Sequence, residues 1–195
     1  MNKRLVWNFE IAAQSTLSDQ PQIDSTECLN NRWEIRYFWP DEQIILLSGL
    51  NASFLDLSHY RFKQTKDIYY LLPNSTKNIK KRQDKITYKA FLQKKDHAIA
   101  YKKKIIVHHD TPLNAEIKAH AIAIKVEKER FTYRFKTTPK LKMELAKLTI
   151  NHKTFFSLSI ESKALSLVEN LSKQLRCNQQ SCDYVTFLKT RIPSC

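Results

Sequence analysis

The sequence contains one glycine, Gly49, in 195 residues. A chain so poor in glycine carries no G-x-G-x-x-G and no P-loop. Any phosphate it holds must be gripped by side chains and not by a glycine-lined backbone loop. Acidic residues are also scarce, with 19 Asp and Glu against 33 Lys and Arg, a formal net charge of +14. No run is long and apolar enough to span a membrane. The N-terminal MNKRLVWNFEIAA starts basic, but Asn8 and Glu10 interrupt its apolar part, which argues against a signal peptide. The expected location is the cytoplasm. Cys28, Cys177, Cys182 and Cys195 complete no zinc set, because the Cys177/Cys182 pair has neither a second pair nor a neighbouring His. Free thiols are the default expectation, with a Cys177–Cys182 disulfide as the alternative. No Ser-His-Asp or Cys-His arrangement can be assembled.

Hydrophobic residues make up 42% of the chain, enough for one medium domain with a buried core. The positive charge has two readings. One is an anionic partner, such as nucleic acid, nucleotide, polyphosphate or an anionic membrane surface. The other is a Lys-rich composition on a solvated surface.

Residues 1–12 suggest a short strand, and residues 13–31 are polar and turn-like. The expected division is therefore an N-terminal extension over 1–31 and a main domain over 32–195. Arg32 to Trp39 alternates, with Arg32, Glu34 and Arg36 on one face and Trp33, Ile35 and Tyr37 on the other. Pro40 ends that strand. Asp41-Glu42 opens an expected short helix through Leu47, with Gly49 near its end, and Phe54, Leu55 and Leu57 continue helical packing. Asp67 to Phe91 then reads as strand, turn, strand, turn, strand, with Lys80, Lys81 and Arg82 on the middle strand. Ala98 to His108 suggests another strand. Asp110-Thr111-Pro112 caps an expected helix over 110–121.

Ile122 to Lys136 is a long alternating strand. Its Lys128 and Arg130 share one face with Ile124 and Val126, and its apolar side changes along the way, as in a strand bending through a barrel. Two further strands follow at 141–150 and 155–160. Ser162 to Arg176 has Leu165, Val168, Leu171 and Leu175 at helical spacing. Many antiparallel strands with few helices give an α+β fold, closed or nearly closed. Trp33, Tyr37 and Trp39 read as core. His108-His109 suits a loop or surface better than a metal, since adjacent strand residues point to opposite faces.

The order of these pieces resembles the CYTH superfamily, the triphosphate tunnel metalloenzymes of the adenylate cyclase and thiamine triphosphatase type. Arg32-Trp33-Glu34-Ile35-Arg36 is similar to the family's E-x-E-x-K strand. Asp67-Ile68-Tyr69 looks like its D-x-Y motif, Lys80-Lys81-Arg82 its basic strand, and Thr87-Tyr88-Lys89 its strand ending in lysine. Lys128-Glu129-Arg130 fits its K-x-R pair. Ser157 to Ser162, with Glu161, looks like its late carboxylate strand, and Asp183 to Leu188 resembles its closing S-Y-x-x-L-L. The resemblance covers about residues 32–190.

It implies an antiparallel eight-stranded β-barrel forming a tunnel, with a few flanking helices. It also implies a triphosphate or polyphosphate ligand, bound or cleaved with Mg²⁺ or Mn²⁺. The phosphate-binding residues it implies are Arg36, Lys80, Arg82, Lys89, Lys128 and Arg130, with the arginines able to grip bidentately. Glu34 and Glu161 stand in the catalytic and metal-ligating positions, because hard divalent ions want oxygen ligands. The carboxylate set is depleted, however. Arg32 replaces the first Glu, and the expected acidic strand reads Ala100-Tyr101-Lys102-Lys103-Lys104. Glu34 and Glu161 can equally be ion-pair partners for the excess cations. Three functions remain open: a divergent triphosphatase, a degenerate polyanion-binding tunnel, or a nucleic-acid-binding module using an outer basic surface.

Overall fold

The computed structural model describes residues 3–13, 31–177 and 179–191. The expected sites at Cys28 and Cys195, and most of the 13–31 segment, lie outside them. Cys177 and Cys182 are free thiols.

The chain opens as a hairpin. Strands β1 (Lys3–Val6) and β2 (Phe9–Ala13) turn at Trp7, which takes a left-handed φ of 52°. The region 1–12 is thus two short strands where one was expected. β2 pairs in parallel with β4 (Ile45–Leu50), and the Ile45 N–H donates to Asn8 O at 2.8 Å. The helix expected at 41–49 is therefore a strand. Ile45 and Leu47 are buried while Leu46 is exposed, a period of two that a four-residue apolar run could not distinguish from one helical turn. Gly49 is no helix cap. It sits in this strand at φ 79°, and a Cβ there would lie 2.4 Å from the Gln174 carbonyl oxygen.

The remaining strands are β3 (Arg32–Pro40), β5 (Tyr60–Leu71), β6 (Asn78–Arg82), β7 (Lys85–Lys89), β8 (Phe91–Lys95), β9 (Ala98–Tyr101), β10 (Ile105–Ile106), β11 (Ile122–Arg134), β12 (Lys142–Ile150) and β13 (Lys153–Ser162). Two short 3-10 turns, Ala52–Leu55 and Leu57–His59, precede β5. Among the described residues these ten strands form one curled, half-barrel antiparallel sheet ordered β10-β7-β6-β5-β11-β12-β13-β3-β9-β8. Ten strands replace the eight expected because residues 85–106 form a hairpin interrupted on both arms. The first arm lapses at Ala90 and the second at Lys102–Lys104, so the strand expected at 98–108 is two short ones. The Lys102 N–H still donates to Ala90 O at 3.0 Å across the gap.

Alternation along β3, β12 and β13 buries both faces of the sheet centre. The outer face presents Ile35, Tyr37, Trp39, Met143, Leu145, Phe156, Leu158 and Ile160. These pack under helix α2 (Leu165–Leu175), through its buried Leu167, Val168, Leu171 and Leu175, and under Phe9, Ile11, Ile45 and Leu47 of the small sheet. The first hairpin is thus part of the main core. Trp33, Tyr37 and Trp39 lie in that core as their alternation indicated. Each fully buried large apolar side chain contributes roughly 1.5–3 kcal/mol.

The inner face is divided along its length. At one end it is apolar, with Phe38, Tyr69, Leu71, Ile124, Val126, Ala146, Leu148 and Phe155. Helix α3 (Tyr184–Lys189) fills this half, and Asp183 fixes its start by accepting from the Val185 and Thr186 N–H groups at 2.8 and 3.0 Å. Phe187 stacks on Phe38 at 3.9 Å and Tyr184 on Tyr69 at 4.8 Å. The other half of the inner face is polar and open. Helix α1 (Pro112–His120) starts at the expected Thr111 cap and, with Ile117, covers Leu72, Ile79 and Val107. His108 and His109 are exposed in the loop before it.

Candidate functional site: a basic cavity above an aromatic floor

Strand alternation builds the site. In β3 the face opposite Trp33, Ile35 and Tyr37 carries Arg32, Glu34 and Arg36. In β11 the face that begins with Ile124 and Val126 continues as Lys128 and Arg130. In β6, Lys80 and Arg82 share one face. These residues, with Lys89 of β7 and Glu161 of β13, line a cavity of about 1150 Å³. All eight residues singled out from the sequence therefore line one cavity. Small-molecule pockets usually measure about 300–1,000 Å³, so this one has room for an extended ligand. Among the described residues, thirteen Lys and Arg and three Glu line it. Glu127 and Glu129, on the opposite face of β11, pair outside with Lys66 and Gln64.

Exposure grades along the cavity. At the floor, side-chain exposure is 6% for Arg36 and 7% for Lys128. Midway up, Lys80, Lys89, Arg82, Arg130 and Lys142 are partly exposed. At the mouth, Arg32 and Lys102–Lys104 are open to solvent.

Four carboxylates hold these cations in place. The least expected is Glu144 of β12, 2% exposed. It accepts from Lys128 Nζ at 2.5 Å and an Arg130 terminal nitrogen at 2.8 Å, and a terminal nitrogen of Arg36 lies 4.0 Å away. Burial alone would raise its pKa, yet Lys128, Arg36, Lys142 and Arg130 together hold it well below the usual carboxylate range. Asp67 of β5, 3% exposed, takes Arg82 bidentately at 2.6 and 2.7 Å and Lys80 at 3.3 Å. Its carboxyl is held low by Arg82 and Lys80 against the opposing effect of burial.

Glu34 pairs with Arg36 Nε at 2.7 Å and with Lys89 at 3.8 Å. Glu161 pairs with Lys142 at 3.0 Å and Arg32 at 3.5 Å. Burial pushes Glu161 up, but Lys142 and Lys89 bring it down to about 2. The lysines at the bottom shift the other way. Burial pushes Lys128 and Lys80 down to about 8, with Glu144 and Asp67 only partly opposing it. Three cations share Glu144, so Lys128 also feels Arg36 and Arg130.

The floor is the Tyr184 ring of α3, with the Arg36 guanidinium 4.8 Å and the Lys128 ammonium 5.4 Å from its centroid. Lys80 and Lys89 cover Tyr69 and Tyr101 in the same way. The aromatic faces in the cavity are thus occupied by cations.

Glu34 and Glu161 stand directly opposite one another on β3 and β13, the one arrangement here suited to sharing an ion. Each is already paired with two cations, and among the described residues no three His, Cys, Asp or Glu are grouped as a metal would require. These residues fit poorly as a self-sufficient Mg²⁺ or Mn²⁺ site. The arrangement suits the binding and neutralising of a multiply charged anion by preorganised Arg and Lys.

Glu144 does not stand out in the sequence, because KMELAK reads as one more strand. Its partner signal was weak but present, since Lys142 and Glu144 share the face opposite Met143 and Leu145. In the sequence Asp67 stands out only within its D-x-Y motif, and nothing there marks it as the clamp of Arg82. Tyr184 stands within the closing motif, and nothing in the sequence marks it as a floor.

No family model matches the chain, and no curated protein matches it. Among solved structures the chain is similar to the PH1819 protein from Pyrococcus horikoshii OT3, with 16% identity over 83% of this chain and 99% of that one and a TM-score of 0.47.

Proposed function

We propose that this protein binds a linear polyphosphate-containing anion, such as a triphosphate, in its basic cavity, and that it is a divergent CYTH-type tunnel protein. The observation that supports this reading best is the convergence of Arg36, Lys80, Arg82, Lys89, Lys128 and Arg130 from four strands onto one cavity. Taken along the chain, β7–β8 and β9–β10 are two interrupted strands. With β3, β5, β6, β11, β12 and β13 they make the eight of such a tunnel. Because the carboxylates are all paired with cations, binding is expected to need no metal. Isothermal titration with tripolyphosphate in EDTA tests this. Micromolar or tighter binding that weakens at least tenfold in Arg130→Ala, a loss of about 1.4 kcal/mol, supports the reading. No binding, or binding indifferent to Arg82→Ala and Arg130→Ala, refutes it.

A second reading is metal-assisted cleavage of the same anion. The cross-strand opposition of Glu34 and Glu161 favours it. Mg²⁺ commonly binds through one or two carboxylates together with substrate phosphates, and Glu34 and Glu161 would be those carboxylates. Such an ion would supply charge shielding at the phosphoryl group. Phosphate release with Mg²⁺ or Mn²⁺, abolished in Glu34→Gln and Glu161→Gln, is its signature. Absence of release from tripolyphosphate and nucleoside triphosphates leaves a binding protein.

A further inference from the structure

Among the described residues, the interior of the curled sheet is open at one end. On the inner face of β3, β5, β11, β12 and β13, charged residues occupy one half and apolar residues the other. α3 fills the apolar half through the Phe187–Phe38 and Tyr184–Tyr69 stacks, and Phe187 also meets Phe155 edge-on at 5.4 Å. A charged chain therefore cannot pass through. Among the described residues, the way in is from the mouth at Arg32 and Lys102–Lys104, and it stops at the floor. The floor carries its own polar group. Tyr184 is 5% exposed, lines the cavity, and its hydroxyl has no hydrogen-bond partner among the described residues. Buried hydroxyls are normally satisfied, and an unsatisfied one costs about 1–3 kcal/mol. Arg36 and Lys128, the two most buried cations of the wall, lie beside that same ring.

We infer that the cavity takes the end of a linear polyphosphate, with the terminal phosphate seated between Arg36 and Lys128 and accepting a hydrogen bond from the Tyr184 hydroxyl. A terminal phosphoryl group offers three non-bridging oxygens and a second ionisation near neutral pH. An internal one offers two oxygens and a single charge. The floor, where the two most buried cations of the cavity meet, matches the former. The mouth lysines, which stand without carboxylate partners among the described residues, then follow the chain outward. This inference rests on the proposed polyphosphate reading and adds which part of the ligand is recognised.

The experiment compares three probes by isothermal titration in EDTA: linear tripolyphosphate, cyclic trimetaphosphate, which has no end, and long-chain polyphosphate. Linear tripolyphosphate is expected to bind at least tenfold more tightly than the cyclic compound. Long-chain polyphosphate is expected to saturate at no more than two protein copies per chain, one at each end. Tyr184→Phe keeps the ring stacks and removes only the hydroxyl. It is expected to weaken tripolyphosphate about tenfold while leaving trimetaphosphate affinity unchanged, with a ligand-free melting temperature no lower than the parent's showing that the floor is intact. Equal affinity for linear and cyclic triphosphate overturns end recognition while leaving polyphosphate binding standing, as does many copies loading along one long chain. Failure of every linear polyphosphate to bind overturns the polyphosphate reading itself. If Tyr184→Phe binds tripolyphosphate as the parent does, the role given to the hydroxyl is wrong.

Discussion

Replacing Glu144 by Gln tests whether the cavity is a set of cations held together by one buried carboxylate. The change keeps the side chain's shape and removes its charge. Lys128 at 2.5 Å, Arg130 at 2.8 Å and Arg36 at 4.0 Å are then left facing one another. Removing one partner of a buried ion pair costs about 3–5 kcal/mol. Two features hold the expected loss to the lower end. Lys128, already pushed down to about 8 by burial, sheds its proton more readily once Glu144 is neutral. The Arg130 side chain is 20% exposed and keeps part of its hydration. A loss of about 3 kcal/mol lowers Tm by about 6–12 °C in a protein of this size. Thermal unfolding followed by circular dichroism at pH 7 and low salt measures it. Tripolyphosphate at 100 times its Kd adds about 2.7 kcal/mol, enough to bring the variant close to the ligand-free parent. At a fixed concentration the variant should gain more than the parent, because the anion takes over the neutralising role. A variant that melts within about a degree of the parent, or gains no more from tripolyphosphate than the parent does, refutes the reasoning.

Three further outcomes are expected. Burial lowers Lys128 from 10.5 to about 8 in the folded protein, so between those values the native state binds fewer protons than the unfolded one. Its contribution to the stability of the free protein therefore rises with pH across that window, while anion affinity falls. Binding at pH 8.5 should take up protons, seen as buffer-dependent heats, and more of them in the parent than in Lys128→Met; equal uptake by the two would contradict the placement of Lys128. Gly49→Ala should cost at least about 2 kcal/mol in chemical unfolding, from the left-handed φ and the clash with the Gln174 carbonyl; a neutral result would mean that β4 and α2 do not meet there. Phe187→Ala should cost about 3–5 kcal/mol through loss of its stack on Phe38, and a loss below about 1 kcal/mol would show that α3 is not docked in the sheet interior.

The cavity was legible to the extent that strands announce their faces. Period two put Lys128 with Arg130 and Lys80 with Arg82 on common faces, and all four line the cavity. It also showed the change of apolar side along β11, whose inner face is Ile124 and Val126 at one end and Lys128 and Arg130 at the other. What sequence could not supply was partnership across strands. Asp67 meets Arg82 only through the β5–β6 register. Glu144 meets Lys128 and Arg130 through the β11–β12 pairing, and an isolated Glu between Met143 and Leu145 gives no sign of it. β4 is not recognisable in the sequence because Ile44 to Leu47 has no length with which to separate a period of two from one of 3.6. The break at Lys102–Lys104 went unseen because a like-charged run can continue a strand or interrupt it, and only the neighbouring arm decides.

The division of the sheet interior has a consequence for how the molecule is made. β3 pairs with β13, Trp33 opposite Ser162, so the sheet cannot curl until more than half the chain is available. Its aromatic interior then waits for Tyr184–Lys189. Contacts this distant in sequence slow folding, and apolar surface exposed in the interval invites misassociation. Folding is thus expected to include a late docking step, in which an open sheet presenting Phe38, Tyr69 and Phe155 is corked by α3.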